Sequence, residues 1–264
     1  MRVLKNPKLH FVLFQMNVEF GNSKENFKRV SDFLDKQNIR ENSFLILPEL
    51  FLTGYHKEEI TKSAFVDSSS NTIKQLHGLA LKYNISLYGS IGEKVDDNYC
   101  NTAVLITPDG LKETYRKIHL FGPMGEKDLF NQGNQIKTIE LDETVFGLSI
   151  CYDLRFPMMY QKMMADNAGI ILVVAEWPIA RINHWSALLK ARAIENQAFV
   201  IGLNRVGKDP DYTYGGHSAI YSPYGDVVCE IANSEEGFIE CEIDLALIDK
   251  FRNQFDVRLD RILK

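Results

Sequence analysis

The chain lacks the residue patterns that announce most kinds of site chemistry. Its four cysteines, Cys100, Cys151, Cys229 and Cys241, form no C-x-x-C pair. That argues against a thioredoxin-type or zinc-ribbon site, and a reducing compartment would keep all four as free thiols. Histidine is sparse, at six residues, and no H-E-x-x-H occurs. A G-x-S-x-G elbow, a phosphate loop and a dinucleotide fingerprint are absent too, which removes the usual signals for serine hydrolysis and nucleotide binding. No apolar run approaches the ~20 residues that a bilayer requires, so no membrane partner is expected. The net charge of -5 gives no broad basic surface for nucleic acid. Residues 1–8 are polar and basic and lead into no signal-type apolar region. The expected compartment is therefore the cytoplasm.

What remains is an ordinary globular composition, 45% hydrophobic and 25% charged over 264 residues, enough for one large core. Residues 9–16 and 44–47 read as apolar strands, the second continuous as if covered on both faces. Asn22 and Glu25 resemble a capping pair ahead of a helix carrying Phe27, Val30 and Leu34. A second helix spans 71–83, then a strand at 85–95, and a hairpin pairs 100–107 with 111–117 around Pro108-Asp109-Gly110. Strands follow at 135–141, 145–150, 170–175 and 199–206, with helices at 158–165 and 183–196. Residues 207–216 read as a loop, and 217–223, 227–232 and 237–244 as antiparallel strands. The tail from 245 is charged, and is expected to lie loose or to reach a neighbouring subunit. Helices alternating with strands, without a linker, point to a single α/β domain over residues 1–264 with two mixed sheets face to face and helices outside.

The chemistry centres on Leu148-Ser-Ile-Cys151-Tyr-Asp-Leu-Arg155-Phe-Pro157. A buried strand ends at Ile150, and Pro157 suits the first turn of a helix. Cys151 is thus expected on a strand-to-helix corner, near backbone N–H groups that favour a thiolate and bind an oxyanion. Taken alone, Cys151 reads more readily as an ordinary buried thiol, since free cysteine is among the most buried residue types. Glu49 follows the buried strand at 44–47, just past its end, where sites in layered α/β proteins lie. Alone it reads as a solvated charge, as does Lys117.

Three segments in order change those readings. Pro48-Glu49-Leu-Phe, Tyr115-Arg-Lys117-Ile-His119-Leu-Phe and Cys151-Tyr-Asp-Leu-Arg-Phe-Pro together resemble the nitrilase superfamily of carbon–nitrogen hydrolases, over almost the whole chain. Glu176-Trp177-Pro178 and Arg192-Ala-Ile-Glu195-Asn-Gln are similar to its ω-amidase branch, which removes ammonia from 2-oxoglutaramate. The resemblance implies a four-layer α-β-β-α sandwich, a homodimer paired through helices flanking the site, and no cofactor or metal. It implies Cys151 as nucleophile, Glu49 as base, Lys117 and the Tyr152 N–H as oxyanion donors, and a second glutamate after the lysine, here Glu126. The helix of Trp185 and the charged tail are candidate subunit contacts. Arg155 either pairs with Asp153 or another acid, or binds a substrate carboxylate; bidentate geometry favours the latter. Tyr55, Phe121 and Trp177 are candidate pocket walls, and His119 a structural hydrogen bonder. The expected reaction is hydrolysis of a small linear amide through a thioester. The alternatives are a nitrilase, an N-carbamoyl-amine hydrolase, or a non-catalytic binding protein of the same fold.

Overall fold

The computed structural model describes residues 7–260 and 262. Most of the polar, basic start of the chain, residues 1–6, lies outside them. The first half of the chain runs β1 (Lys8–Gln15), α1 (Ser23–Lys36), β2 (Phe44–Ile46), α2 (Lys57–Ser63), α3 (Asn71–Tyr83), β3 (Ser86–Val95), β4 (Asn98–Thr107) and β5 (Gly110–Arg116). The second half continues α4 (Glu126–Leu129), β6 (Lys137–Leu141), β7 (Thr144–Ile150), α5 (Pro157–Ala165), β8 (Ile170–Ala175), α6 (Ile182–Asn196) and β9 (Phe199–Asn204). It closes with β10 (Val206–Lys208), β11 (Thr213–Gly215), β12 (Ser218–Tyr221), β13 (Val227–Ile231), β14 (Gly237–Asp244) and α7 (Ala246–Gln254).

Two six-stranded mixed sheets result, ordered β14-β1-β2-β3-β4-β5 and β13-β12-β9-β8-β7-β6. Strands β1, β2 and β3 are parallel in one, and β7, β8 and β9 in the other. Strands β2 and β8 are continuously apolar and buried because both faces of each are covered. Phe11, Leu13, Phe44, Ile46 and Tyr88 meet Phe146, Leu148 and Ile150 between the sheets. On the far side of the first sheet, Val12, Phe14, Leu45 and Leu87 pack against Val30, Phe33 and Leu34 of α1 and Ile73, Leu76 and Ala80 of α3. Helices α5 and α6 cover the second sheet, with Met159, Met163, Leu189 and Ala193 in the core. The architecture is the expected α-β-β-α sandwich. Asn22 caps α1, its side chain accepting the Glu25 N–H at 3.1 Å.

Several sequence expectations are corrected. The strand expected over 199–206 stops at Asn204, because Arg205 turns inward and is fully buried. The loop over 207–216 contains the short β10–β11 hairpin. Strand β14 does not continue the run of β12 and β13; it crosses to the other sheet and pairs with β1 along eight residues. The tail is not loose: Ile248 of α7 is buried, and Arg252 donates to the Ala168 carbonyl at 2.9 Å. Trp185 is fully buried, with its indole N–H on the His217 carbonyl, so the side chain belongs to the core and any subunit contact of its helix falls to other residues. Among the described residues no helix is long and apolar enough to cross a membrane.

Gly133 fastens the loop after β5 to the sheet. Its N–H donates to the Lys117 carbonyl at 2.8 Å, and a Cβ there would lie 2.2 Å from the Arg116 carbonyl oxygen. Backbone cannot yield as a side chain does, so Gly133→Ala is expected to lower stability by ~1–3 kcal/mol, the usual cost of forced overpacking. Urea denaturation checks this, and an unchanged midpoint would mean the loop adapts freely.

Candidate active site

The parallel strands of both sheets deliver their C-terminal ends to one place. Glu49 follows β2, Cys151 follows β7, Glu176 follows β8, and Arg205 follows β9. Lys117 follows β5, and Glu126 opens α4. Crevices at the carboxyl ends of parallel strands are the usual ligand sites of such sheets.

Cys151 stands at the strand-to-helix corner with φ 48°. A non-glycine residue in the left-handed region is strained, and such strain concentrates at functional sites. One tight turn, Cys151–Arg155, leads to Pro157 at the start of α5. Asp153 holds this turn, accepting the Ile150 N–H at 3.0 Å, the Tyr115 hydroxyl at 2.7 Å and the His119 N–H at 3.0 Å. The His119 ring bonds the same carboxylate at 2.8 Å and stacks on Phe156 at 3.7 Å. Asp153 is thus occupied with shaping the corner, and Arg155 does not pair with it.

The Lys117 ammonium is wholly buried between two buried carboxylates. It lies 2.8 Å from Glu49 Oε1, and 2.7 Å and 2.8 Å from the two oxygens of Glu126. Tyr55 donates its hydroxyl to Glu49 Oε1 at 2.7 Å, and Asn101 Nδ2 donates to the same oxygen at 2.7 Å. The other Glu49 oxygen accepts the Glu176 N–H at 2.8 Å, and Glu126 Oε2 accepts the Phe121 N–H at 2.7 Å. The Cys151 sulfur lies 3.9 Å from the Glu176 carbonyl.

Charge sorts these groups. Burial pushes the Glu49 carboxyl up, but the Lys117 charge and the hydrogen bonds from Lys117, Tyr55 and the Glu176 N–H outweigh it, so Glu49 sits below the usual carboxylate range. Glu126 is raised, by burial first and then by the Glu49 charge, against the pull of Lys117. Lys117 is held well above its usual value: burial works against its charge, but Glu126 and Glu49 more than compensate. The Cys151 thiol is pushed well up, by burial first and then by Glu49, while Lys117 pulls the other way. At neutral pH the arrangement is a protonated thiol beside an ionised carboxylate and a charged ammonium.

A cleft of about 300 Å³, open at its mouth, reaches the sulfur. Tyr55, Phe121, Tyr152, Arg155 and Trp177 all line it, as do Met124, Glu176 and Arg181. The Arg155 guanidinium lies 4.9 Å over the Trp177 ring, and that of Arg181 lies 5.2 Å over Phe121. Sequence reasoning did not find Asn101, Arg181 or the side chains of Glu176 and Arg205. An asparagine within a strand carries no signal of periodicity or spacing. Among the described residues no group of three or more His, Cys, Asp or Glu is arranged to hold a metal ion.

Lys117→Met would leave two buried carboxylates facing each other. Removing one partner of a buried charge pair typically costs ~3–5 kcal/mol. Without the ammonium, burial raises both carboxyls above their unfolded values, so the folded form binds more protons and regains stability as pH falls. The deficit against wild type in urea denaturation should therefore be smaller at about pH 5 than at about pH 8; a deficit independent of pH would contradict this balance of charges.

The carbon–nitrogen hydrolase family profile matches residues 13–253. A 2-oxoglutaramate amidase of Bacillus subtilis (strain 168) is 37% identical over 234 residues, covering 88% of this chain and 89% of that protein. The omega-amidase YafV of Escherichia coli (strain K12) is 30% identical over 250 residues, covering 94% and 95%. In three dimensions the chain is similar to a crystallised CN-hydrolase superfamily protein from Xanthomonas campestris, which carries an arsenic adduct in its active site. The TM-score is 0.90 at 29% identity, covering 97% of this chain and 98% of that one. The chain that folds these residues around Cys151 belongs to the carbon–nitrogen hydrolase family.

Proposed function

We propose that this hydrolase is an ω-amidase, cleaving the terminal amide of a small 2-oxoglutaramate-like substrate in a single-domain chain. The observation that carries the reading is the buried Glu49–Lys117–Glu126 cluster beside a protonated Cys151 thiol at the floor of a cleft whose mouth bears two arginines. The two relatives named for these amidases point to the same chemistry.

An amide requires a strong nucleophile, a base and a stabilised oxyanion. Glu49 takes the thiol proton as the sulfur of Cys151 attacks the amide carbon. The new C–S bond pushes the carbonyl electrons onto oxygen, where the Lys117 ammonium and the Tyr152 N–H receive the charge. Losing one such donor typically costs roughly 3–4 kcal/mol. When the intermediate collapses the C–N bond breaks, and Glu49 returns its proton to the departing nitrogen, which leaves as ammonia. Glu49 then takes a proton from water, the resulting hydroxide attacks the thioester, and as the C–S bond breaks Glu49 returns that proton to the sulfur, restoring the thiol; the acid product leaves and ionises in water. This acid–base assistance is ordinarily worth about 100- to 10,000-fold. Glu126 keeps Lys117 aimed and charged. Arg155, seated on Trp177, binds the substrate carboxylate, with Phe121 and Tyr55 as walls.

Subunits pair through the helices beside the cleft, where Met158 of α5 is 80% exposed and Ile194 of α6 is 45% exposed. The compartment is the cytoplasm, in keeping with four free thiols.

Ammonia release from 2-oxoglutaramate, neutral amides of the same length, nitriles and N-carbamoyl amines tests the substrate class. The carboxylate-bearing amide should lead, and Arg155→Gln should reduce kcat/KM for it by roughly 10- to 100-fold, the loss of a charged hydrogen-bond pair, while sparing neutral amides. Equal losses on both would remove Arg155 from carboxylate recognition. Cys151→Ala should abolish turnover with the fold intact, and residual hydrolysis would refute its role as nucleophile. Sedimentation velocity should give twice the chain mass; a monomer would dismiss the pairing.

A further inference from the structure

Glu176 ends the run of β8, and its main chain meets both reacting groups: the N–H holds Glu49 Oε2 at 2.8 Å and the carbonyl lies 3.9 Å from the Cys151 sulfur. Its side chain is fully buried, as is that of Arg205. Glu176 Oε2 accepts from Arg205 Nη1 at 3.1 Å, while Oε1 has no hydrogen-bond partner among the described residues. Arg205 is immobilised in turn. It donates to the carbonyls of Val18 and Val206, and its guanidinium lies 4.4 Å over the Tyr214 ring. Gly54 lies alongside, where a Cβ would come 3.5 Å from Arg205 Nη1 and 3.7 Å from Glu176 Oε1.

A buried ion pair seldom stabilises a fold relative to apolar residues of the same shape. An unpartnered buried carboxylate oxygen adds a further desolvation cost. Nor is the pair needed to hold the neighbouring residue. Asn204 does that, its Oδ1 accepting the Trp177 N–H at 2.7 Å and its Nδ2 donating to the Trp177 carbonyl at 3.1 Å. What the pair does supply is a carboxyl group held in place behind Glu49.

We infer that Glu176 is a positioning residue for Glu49. Its pairing with Arg205 fixes the N–H that holds Glu49, and its charge raises the affinity of Glu49 for the thiol proton. The inference rests on Glu49 being the base. The charged and titratable groups facing Glu176 are Arg205 after β9, Glu49 after β2 and Asp209 between β10 and β11, with Tyr214 on β11, Tyr55 after β2, and Cys151, Lys117 and Glu126 beyond Glu49. Burial, opposed by Arg205 and reinforced by Glu49 and Asp209, pushes the Glu176 carboxyl up to about 7. Its charge is therefore present above neutral pH and lost below it.

The test is the rate of Cys151 alkylation by iodoacetamide as a function of pH. It is measured on the full chain, with Cys151→Ala subtracting the other thiols. This readout needs no substrate, so it stands apart from the amidase assignment. Wild type should show a step near pH 7. Glu176→Gln should lose that step and react about tenfold more slowly above it, with kcat down roughly 10- to 100-fold and KM within about twofold, as expected for a displaced base. A wild-type profile in Glu176→Gln, or uniform slowing with the step retained, overturns the inference. Should Glu176→Gln not fold, a wild-type profile without an inflection near pH 7 overturns it equally. Glu49→Gln is the separate control: unchanged alkylation there removes Glu49 as base, whatever Glu176 does.

Discussion

An ammonium with no access to water must find all its partners inside the protein. Lys117 finds them in Glu49, 68 residues before it, and Glu126, nine residues after it, both fully buried. That requirement draws together the turn after β2, the end of β5 and the start of α4. Once together, they cannot be separated cheaply, because any one charge left alone in the interior pays its full desolvation cost. The backbone of Lys117 is fixed as firmly as its side chain, its N–H donating to the Asn101 carbonyl at 2.9 Å and its carbonyl accepting from Gly133. Asn101 then serves twice, since its side chain also donates to both carboxylates. The cluster is one object with a single low-energy arrangement.

The same cluster gives its two carboxyls different proton affinities. Two carboxylates sharing one cation do not ionise independently, and their proton affinities belong to the pair. Glu49 holds the Tyr55 hydroxyl and the Asn101 amide at 2.7 Å each, against 3.3 Å and 3.2 Å for Glu126, and is the one drawn down. The thiol beside it is pushed up. The resting site thus stores its proton on sulfur, with an acceptor already charged and adjacent. The left-handed corner at Cys151 and the Asp153 bonds that brace it fix where that sulfur stands.

Legibility in the sequence followed the strength of local pattern. Strand β8 and helix α3 were read to their exact ends, because one is uniformly apolar and the other carries a regular apolar stripe. Helix α2 was missed because Ile60 is its only buried residue. Helix α7 was read only as a tail lying loose or reaching a neighbour, for the same reason, with Ile248 alone turned fully inward among charges. The β10–β11 hairpin hides in polar, glycine-bearing chain. Within the site, Glu49, Lys117 and Cys151 were legible through the segments around them. Asn101 and the side chains of Glu176 and Arg205 were not, since a buried polar residue at a strand or its end announces itself only through partners distant in the chain.

Polarity along the cleft follows from these placements. Glu176 lines it beside Cys151, and behind them lie the buried Glu49, Glu126, Lys117 and Arg205. Its mouth holds Arg155 and Arg181, each laid on an aromatic face, and among the described residues neither forms a salt bridge to a carboxylate. For the amide substrate proposed above, this placement would set the direction of entry: its carboxylate would meet the arginines at the mouth while its neutral amide end proceeds to the sulfur. A reversed substrate would carry its charge toward the ionised Glu49, where a low-dielectric interior strengthens repulsion, a cost that a purely apolar slot would not impose.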